Sequence, residues 1–192
     1  MKNNTLNLVD RHIAFTNFLK LNTNEPVISE ELSEQVREFL DKVDFFRKPA
    51  AIKYHGNYTG GLFDHSLAVA ETLVKMTNEF GIKWQNPRSP YIVGLFHDLC
   101  KTEDYINTNE DKLAPATWQY NNDKLFKGHG DKSIMMLSQL MTLTEEEVLC
   151  IRYHMGAYET EEWNEYDKAI KKYETVLWTH TADMYASKVI GI

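Results

Sequence analysis

His97 and Asp98 stand side by side in Gly94-Leu95-Phe96-His97-Asp98-Leu99-Cys100-Lys101, with Ile92 and Val93 just upstream. So apolar a run belongs in a core. There an imidazole beside a carboxylate costs several kcal/mol unless something compensates, and a bound cation is the strongest compensation available. Helix neighbours point about 100° apart, so both can reach one ion only if it lies against the helix flank. Taken alone, the pair is also what a buried ion pair or a hydrogen-bonded core histidine looks like.

Four further residues have matching chemistry and similar settings. His65 opens a helix with an apolar face of Leu62, Val69, Leu73 and Val74. His129 lies in Gly128-His129-Gly130, and His154 ends the stretch Val148 to Gly156. Asp183 lies in the apolar helix Val176 to Ala186. Four histidines and two aspartates on separate helices are enough donors for two metal sites, with Asp98 able to bridge. Imidazole with carboxylate suits Mn, Fe, Co, Ni or Zn, and Mg where oxygens dominate. A metal lowers the pKa of bound water from about 15.7 toward about 7, and a pair of ions can also neutralise phosphate oxygens. The donor set therefore suits phosphoester hydrolysis. No nucleophile elbow and no phosphate-cradling glycine-rich loop is present.

In this order the residues resemble the HD-domain superfamily of metal-dependent phosphohydrolases. The likeness is greatest to the six-ligand, dinuclear members, such as the HD-type 3′-to-5′ exoribonucleases and small bacterial and phage HD hydrolases. The matching blocks run from Lys48-Pro49-Ala50-Ala51 and Tyr54-His55-Gly56 through Gly60 to Leu67, Gly94 to Lys101, Gly128-His129-Gly130, Tyr153 to Gly156, and His180 to Asp183. The resemblance implies that His65, His97, Asp98 and Asp183 hold a first metal, with Asp98 bridging to a second held by His129 and His154. It also implies that Lys101 contacts substrate phosphate, which makes Asp98 and Lys101 the expected catalytic residues. The i+3 spacing independently returns Lys101 to the helix face of Asp98. No Gly-Tyr-Pro follows His129, unlike the cyclic-dinucleotide phosphodiesterases named for that tripeptide.

Weaker candidates for substrate contact are His55, Lys132 and His180, the last one turn before Asp183 and able to orient it. Arg152 is a further candidate for phosphate, although surface pairing explains it as well. Tyr158 and Trp163 are candidates for stacking on a base.

The 192 residues read as one all-α helical bundle, with N-terminal helices in 1–44 packed on a domain spanning 45–192. Periodicity predicts helices over Leu6–Leu21 and from Ser29 to about Val43, then from His65 to a stop at Gly81. Further helices are predicted from Ser89 or Pro90 to Lys101, from His129 to Leu140, from the capping sequence at Thr144 toward His154, and from Asp167 to Lys188. A short β-hairpin is predicted within 117–127, from Trp118-Gln119-Tyr120 and Leu125-Phe126.

Cys100 and Cys150 read as buried thiols, and with no membrane span or signal segment the expected location is cytoplasmic. Net charge is −7, with the acidic clusters Glu145-Glu146-Glu147 and Glu159 to Glu162 read as solvated surface. A protein gripping a long phosphate backbone is normally basic. The expected partner is therefore a small, nucleotide-like phosphorylated molecule, cleaved at a monoester or a diester. The alternatives are an exonuclease on short single strands, and a nucleotide- or metal-binding module without turnover.

Overall fold

The computed structural model describes residues 6–20, 26–109, 115–126, 128–156 and 163–192. They form a mostly helical domain with one two-stranded hairpin. Two N-terminal helices, α1 (Leu8–Lys20) and α2 (Glu30–Lys42), contribute Phe15, Phe18, Leu19, Val36 and Leu40 to the core that the rest of the chain builds. The Ser29 hydroxyl caps α2 by accepting from Leu32 N–H at 3.2 Å.

The long α3 (Gly61–Phe80) is the spine of the molecule and ends at Gly81 as its sequence predicts. It packs most extensively on α4 (Ser89–Phe96) and then on α9 (Thr175–Tyr185). Gly94 makes the first contact possible. A Cβ there would lie 2.4 Å from Ala70 Cα, so only glycine lets α4 rest directly on the α3 backbone. Between α4 and α9 lie α5 (Lys101–Asp104), the strands β1 (Tyr105–Asn107) and β2 (Trp118–Tyr120), α6 (His129–Leu137), α7 (Glu145–Arg152) and α8 (Trp163–Lys172). Among the described residues no helix is long and apolar enough to cross a membrane.

Several elements differ from their sequence reading. Instead of reaching Lys101, α4 ends at Phe96, because the His97 ring takes the Gly94 carbonyl at 2.8 Å. An α-helix would give that carbonyl to Asp98 N–H. The following bonds, Leu99 N–H to Phe96 O and Lys101 N–H to Asp98 O, are three-residue turns of the tighter 3₁₀ kind. The final helix is broken at Tyr173–Glu174. Beyond the break, the buried Thr175 donates its hydroxyl to Glu146 at 2.7 Å. After Tyr185 the chain continues as a π-helical turn to Ile190.

The hairpin exists, but β2 pairs antiparallel with β1, Tyr105 opposite Tyr120. Leu125 and Phe126 are exposed and outside it. Three residues following directly from α5 are too short to show a strand period in the sequence. The cluster Glu145 to Glu147 is only partly surface. Thr144 and Glu147 form a capping box, and Glu147 also accepts from Ser89 Oγ at 3.0 Å. Glu146 is buried and accepts from Gln85 N–H. Glu159 to Glu162 lie outside the described residues.

The start of α3 is pinned to α1. Arg11 donates twice to Asp64, at 2.8 and 2.9 Å, and Tyr58 OH donates to the same carboxylate at 3.0 Å. The guanidinium lies across Gly60, whose φ of 90° and lack of a side chain leave room for it. Replacing Asp64 by Ala strands Arg11 as a buried cation. The expected loss is about 3–5 kcal/mol of unfolding free energy, read as a lower urea midpoint.

Candidate metal centre

Three histidines reach the core from three helices and are held in the same way. His65, in the second turn of α3, has Nδ1 2.9 Å from the Ile192 carbonyl. His97, just past α4, has Nδ1 2.8 Å from Gly94 O, and His154, just past α7, has Nδ1 2.6 Å from Ile151 O. A main-chain oxygen only accepts, so each Nδ1 carries a proton and Nε2 is the ring nitrogen left to face the centre. All three Nε2 atoms are buried and without a hydrogen-bond partner. They converge on Asp98 and Asp183.

His65 Nε2 is 3.2 Å from Asp183 Oδ1 and 3.5 Å from Asp98 Oδ2. His97 Nε2 lies 3.5 Å from Asp98 Oδ2, and His154 Nε2 lies 3.4 Å from Asp98 Oδ1. Donors about 2.1 Å from a common ion stand about 3.0–3.4 Å from one another in octahedral or tetrahedral sets. The observed spacing matches that edge length closely. His65, His97 and Asp98 form one group able to hold an ion, and His97, His154 and Asp183 form another. Neutral imidazoles with carboxylates suit a divalent cation, so the residues present fit the group.

The electrostatics follow from burial and from Lys101, whose ammonium is 2.6 Å from Asp98 Oδ2. Burial alone would raise the Asp98 carboxyl, yet Lys101 and His97 hold it well below the ordinary value. Asp183 is likewise lowered against burial, by His65 first and then His97. Burial pushes Lys101 down, but Asp98 outweighs it and the lysine ends raised. Burial lowers His97, whereas in His154 the contact with Asp98 overcomes burial and raises it.

His129, at the start of α6, stands apart from His154. Its Nδ1 is 3.5 Å from Cys100 Sγ and 3.7 Å from Asp104 Oδ2. With Asp98 and Cys100 it makes a third group of potential donors, so Asp98 is the carboxylate common to both sides. Asp104 and Cys100 escaped sequence reading as neighbours of His129, since only the tertiary fold brings them within reach of it.

His55 faces the centre, its ring 4.9 Å from His65, and burial together with His65 lowers it to about 4. It is therefore neutral at pH 7. Lys132 is buried and ion-paired with Glu103. Arg152 pairs with Asp131 at 2.5 Å. His180 does not orient Asp183 by a hydrogen bond of its ring Nδ1, which instead lies 2.8 Å from the His154 carbonyl. Trp163 packs edge-on to Tyr166, and Tyr158 lies outside the described residues.

Two outcomes are expected. Asp98 and Asp183 are held below their ordinary value of 3.8. Their stabilisation is complete above that pH and is lost as pH falls through their folded values, so the urea midpoint should decline below about pH 4. Mn²⁺ or Co²⁺ at about 100 times its Kd should stabilise the protein by about 2.7 kcal/mol in thermal unfolding. That gain should shrink from about pH 8 to about pH 6, where protons compete for His154.

Comparison with known proteins agrees with this geometry. The chain is similar to the dihydroneopterin 2′,3′-cyclic phosphate phosphodiesterase of Methanocaldococcus jannaschii, at 29% identity over 45% of this chain and 41% of that protein. The match thus spans less than half the length of that relative. No solved structure matches the chain. The family model for the HD domain matches residues 62–179, which is more than half of the chain and includes every histidine and aspartate of the centre except Asp183. The chain belongs to the HD domain family.

Proposed function

We propose that the protein is a metal-dependent phosphohydrolase that cleaves a phosphomonoester or phosphodiester of a small, nucleotide- or pterin-like molecule. The observation that carries this reading is the set of three buried Nε2 atoms without a hydrogen-bond partner that converge on two buried carboxylates. The relative's substrate, a small cyclic phosphate, supports the same class. So does the net charge of −7, which disfavours a long polyanion.

In this reading His65, His97, Asp98 and Asp183 hold a first divalent ion. A second ion would draw on Asp98 with His129 and Cys100, Asp104 lying next to His129, while among the described residues His154 groups with His97 and Asp183 and not with His129. Such ions, when bound, supply hydroxide near neutral pH and neutralise phosphate oxygens. The protein's own part is to position and to screen. The backbone carbonyls of Gly94, Ile151 and Ile192 fix which ring nitrogen of each histidine faces the centre. Lys101 brings a permanent cation to the edge of Asp98, where a phosphate oxygen can take it up. Neutral His55 can donate a hydrogen bond to an ester oxygen without adding charge. His180 supports His154 through its main-chain carbonyl.

Asp98→Asn should lose bound metal and nearly all phosphoesterase activity. Lys101→Ala should keep its metal, measured by elemental analysis, while kcat/KM falls about 10-fold to 1,000-fold. Absence of phosphoester turnover with Mn, Co, Ni, Zn and Mg across monoesters and cyclic diesters would overturn the reading.

A further inference from the structure

The hairpin and the loop before α3 leave between them a groove of about 350 Å³, lined by Ile52, Lys53, Trp118, Gln119, Tyr120 and Asn122. Trp118 and Tyr120 are two apart on β2, so their rings share one face of the strand. Tyr120 packs at 5.6 Å on its cross-strand partner Tyr105 and keeps half its surface exposed. The Trp118 indole N–H donates to Thr59 Oγ1 at 3.4 Å, and the Lys48 ammonium sits 5.3 Å from its ring. Lys48 also donates to the Tyr105 carbonyl at 2.6 Å. The aromatic wall is therefore fixed from behind and open in front.

Each wall is next in the chain or across the hairpin to a residue beside the metal centre. Tyr120 packs on Tyr105, and the loop of Ile52 and Lys53 runs on to His55, whose ring is 4.9 Å from His65. Tyr105 follows Lys101 by four residues, and the Lys101 charge acts on its phenol. A substrate whose phosphate lies among Lys101, His55 and the centre meets this groove with its non-reacting part. The volume is at the small end for ligand pockets and suits one ring system. Two aromatic faces favour stacking, while Lys53 and Asn122 offer donors and acceptors to a polar ring edge.

We infer that this groove is where the planar ring of the substrate binds, with Trp118 and Tyr120 as the side chains that select for it. The inference rests on the phosphohydrolase reading. Matched probes separate the two: guanosine 2′,3′-cyclic phosphate and guanosine monophosphate, against ribose 2,3-cyclic phosphate and ribose 5-phosphate. The Mn-loaded protein should prefer the ring-bearing member of a pair in kcat/KM. That preference should fall about 10-fold in Tyr120→Ala and in Trp118→Leu. Circular dichroism is the check that each variant folds, and Tyr120 is exposed enough to be replaced without disturbing the core. An unchanged preference in both variants overturns the inference. If no probe is turned over, the phosphohydrolase reading falls, and a titration with guanosine monophosphate in chelator decides the groove by itself. Saturable quenching of tryptophan fluorescence that is lost in Trp118→Phe supports the groove. Its absence overturns it.

Discussion

Everything in this molecule is arranged around the cost of keeping Asp98 in a dry core. A carboxylate there is tolerable only when its surroundings answer its charge. The fold surrounds it with three imidazoles and one ammonium taken from separate parts of the chain. Each histidine could satisfy itself by pointing either ring nitrogen at the protein. Each instead gives Nδ1 to a main-chain carbonyl, leaving the other nitrogen for the centre. The backbone thus orients these side chains, with main-chain oxygens as the partners of all three rings.

That arrangement also explains the irregular parts of the architecture. Two helices end where a histidine of the cluster takes the carbonyl three residues back, at His97 and again at His154, the second just before Gly156 with its φ of 61°. The close approach of α4 to α3 at Gly94 places the same residue in two roles, since its missing side chain admits Ala70 and its carbonyl orients His97.

Much of this could be read from residue types alone. The settings of His65, His97, Asp98, His129, His154 and Asp183 point to shared metal sites, and the structure buries all of them but His129 together, while the capping signals at Ser29 and Thr144 mark two helix starts. What escaped was set by tertiary partners. Nothing local says that Glu146 and Glu147 turn inward, because their donors, Gln85, Ser89 and Thr175, lie far along the chain. The stop of α4 at Phe96 depends on a ring nitrogen finding a carbonyl, which periodicity cannot express. The partner strand of β2 was hidden by being three residues long. His180 one turn before Asp183 looked like its support, but its Nδ1 lies against the backbone of His154 across the fold.

The anchor of His65 has a bearing on how the chain comes together in time. Its imidazole is oriented by the carbonyl of Ile192, a contact spanning 127 positions. Asp183, its carboxylate neighbour, comes from the same distant end. Contacts of such separation are slow to form, because a long loop must close before any of them is rewarded. A chain still lacking its last two turns of helix holds His97 and Asp98 but has neither partner for His65. The surroundings of His65 are therefore complete only when the two distant halves of the chain have met, a late step of folding.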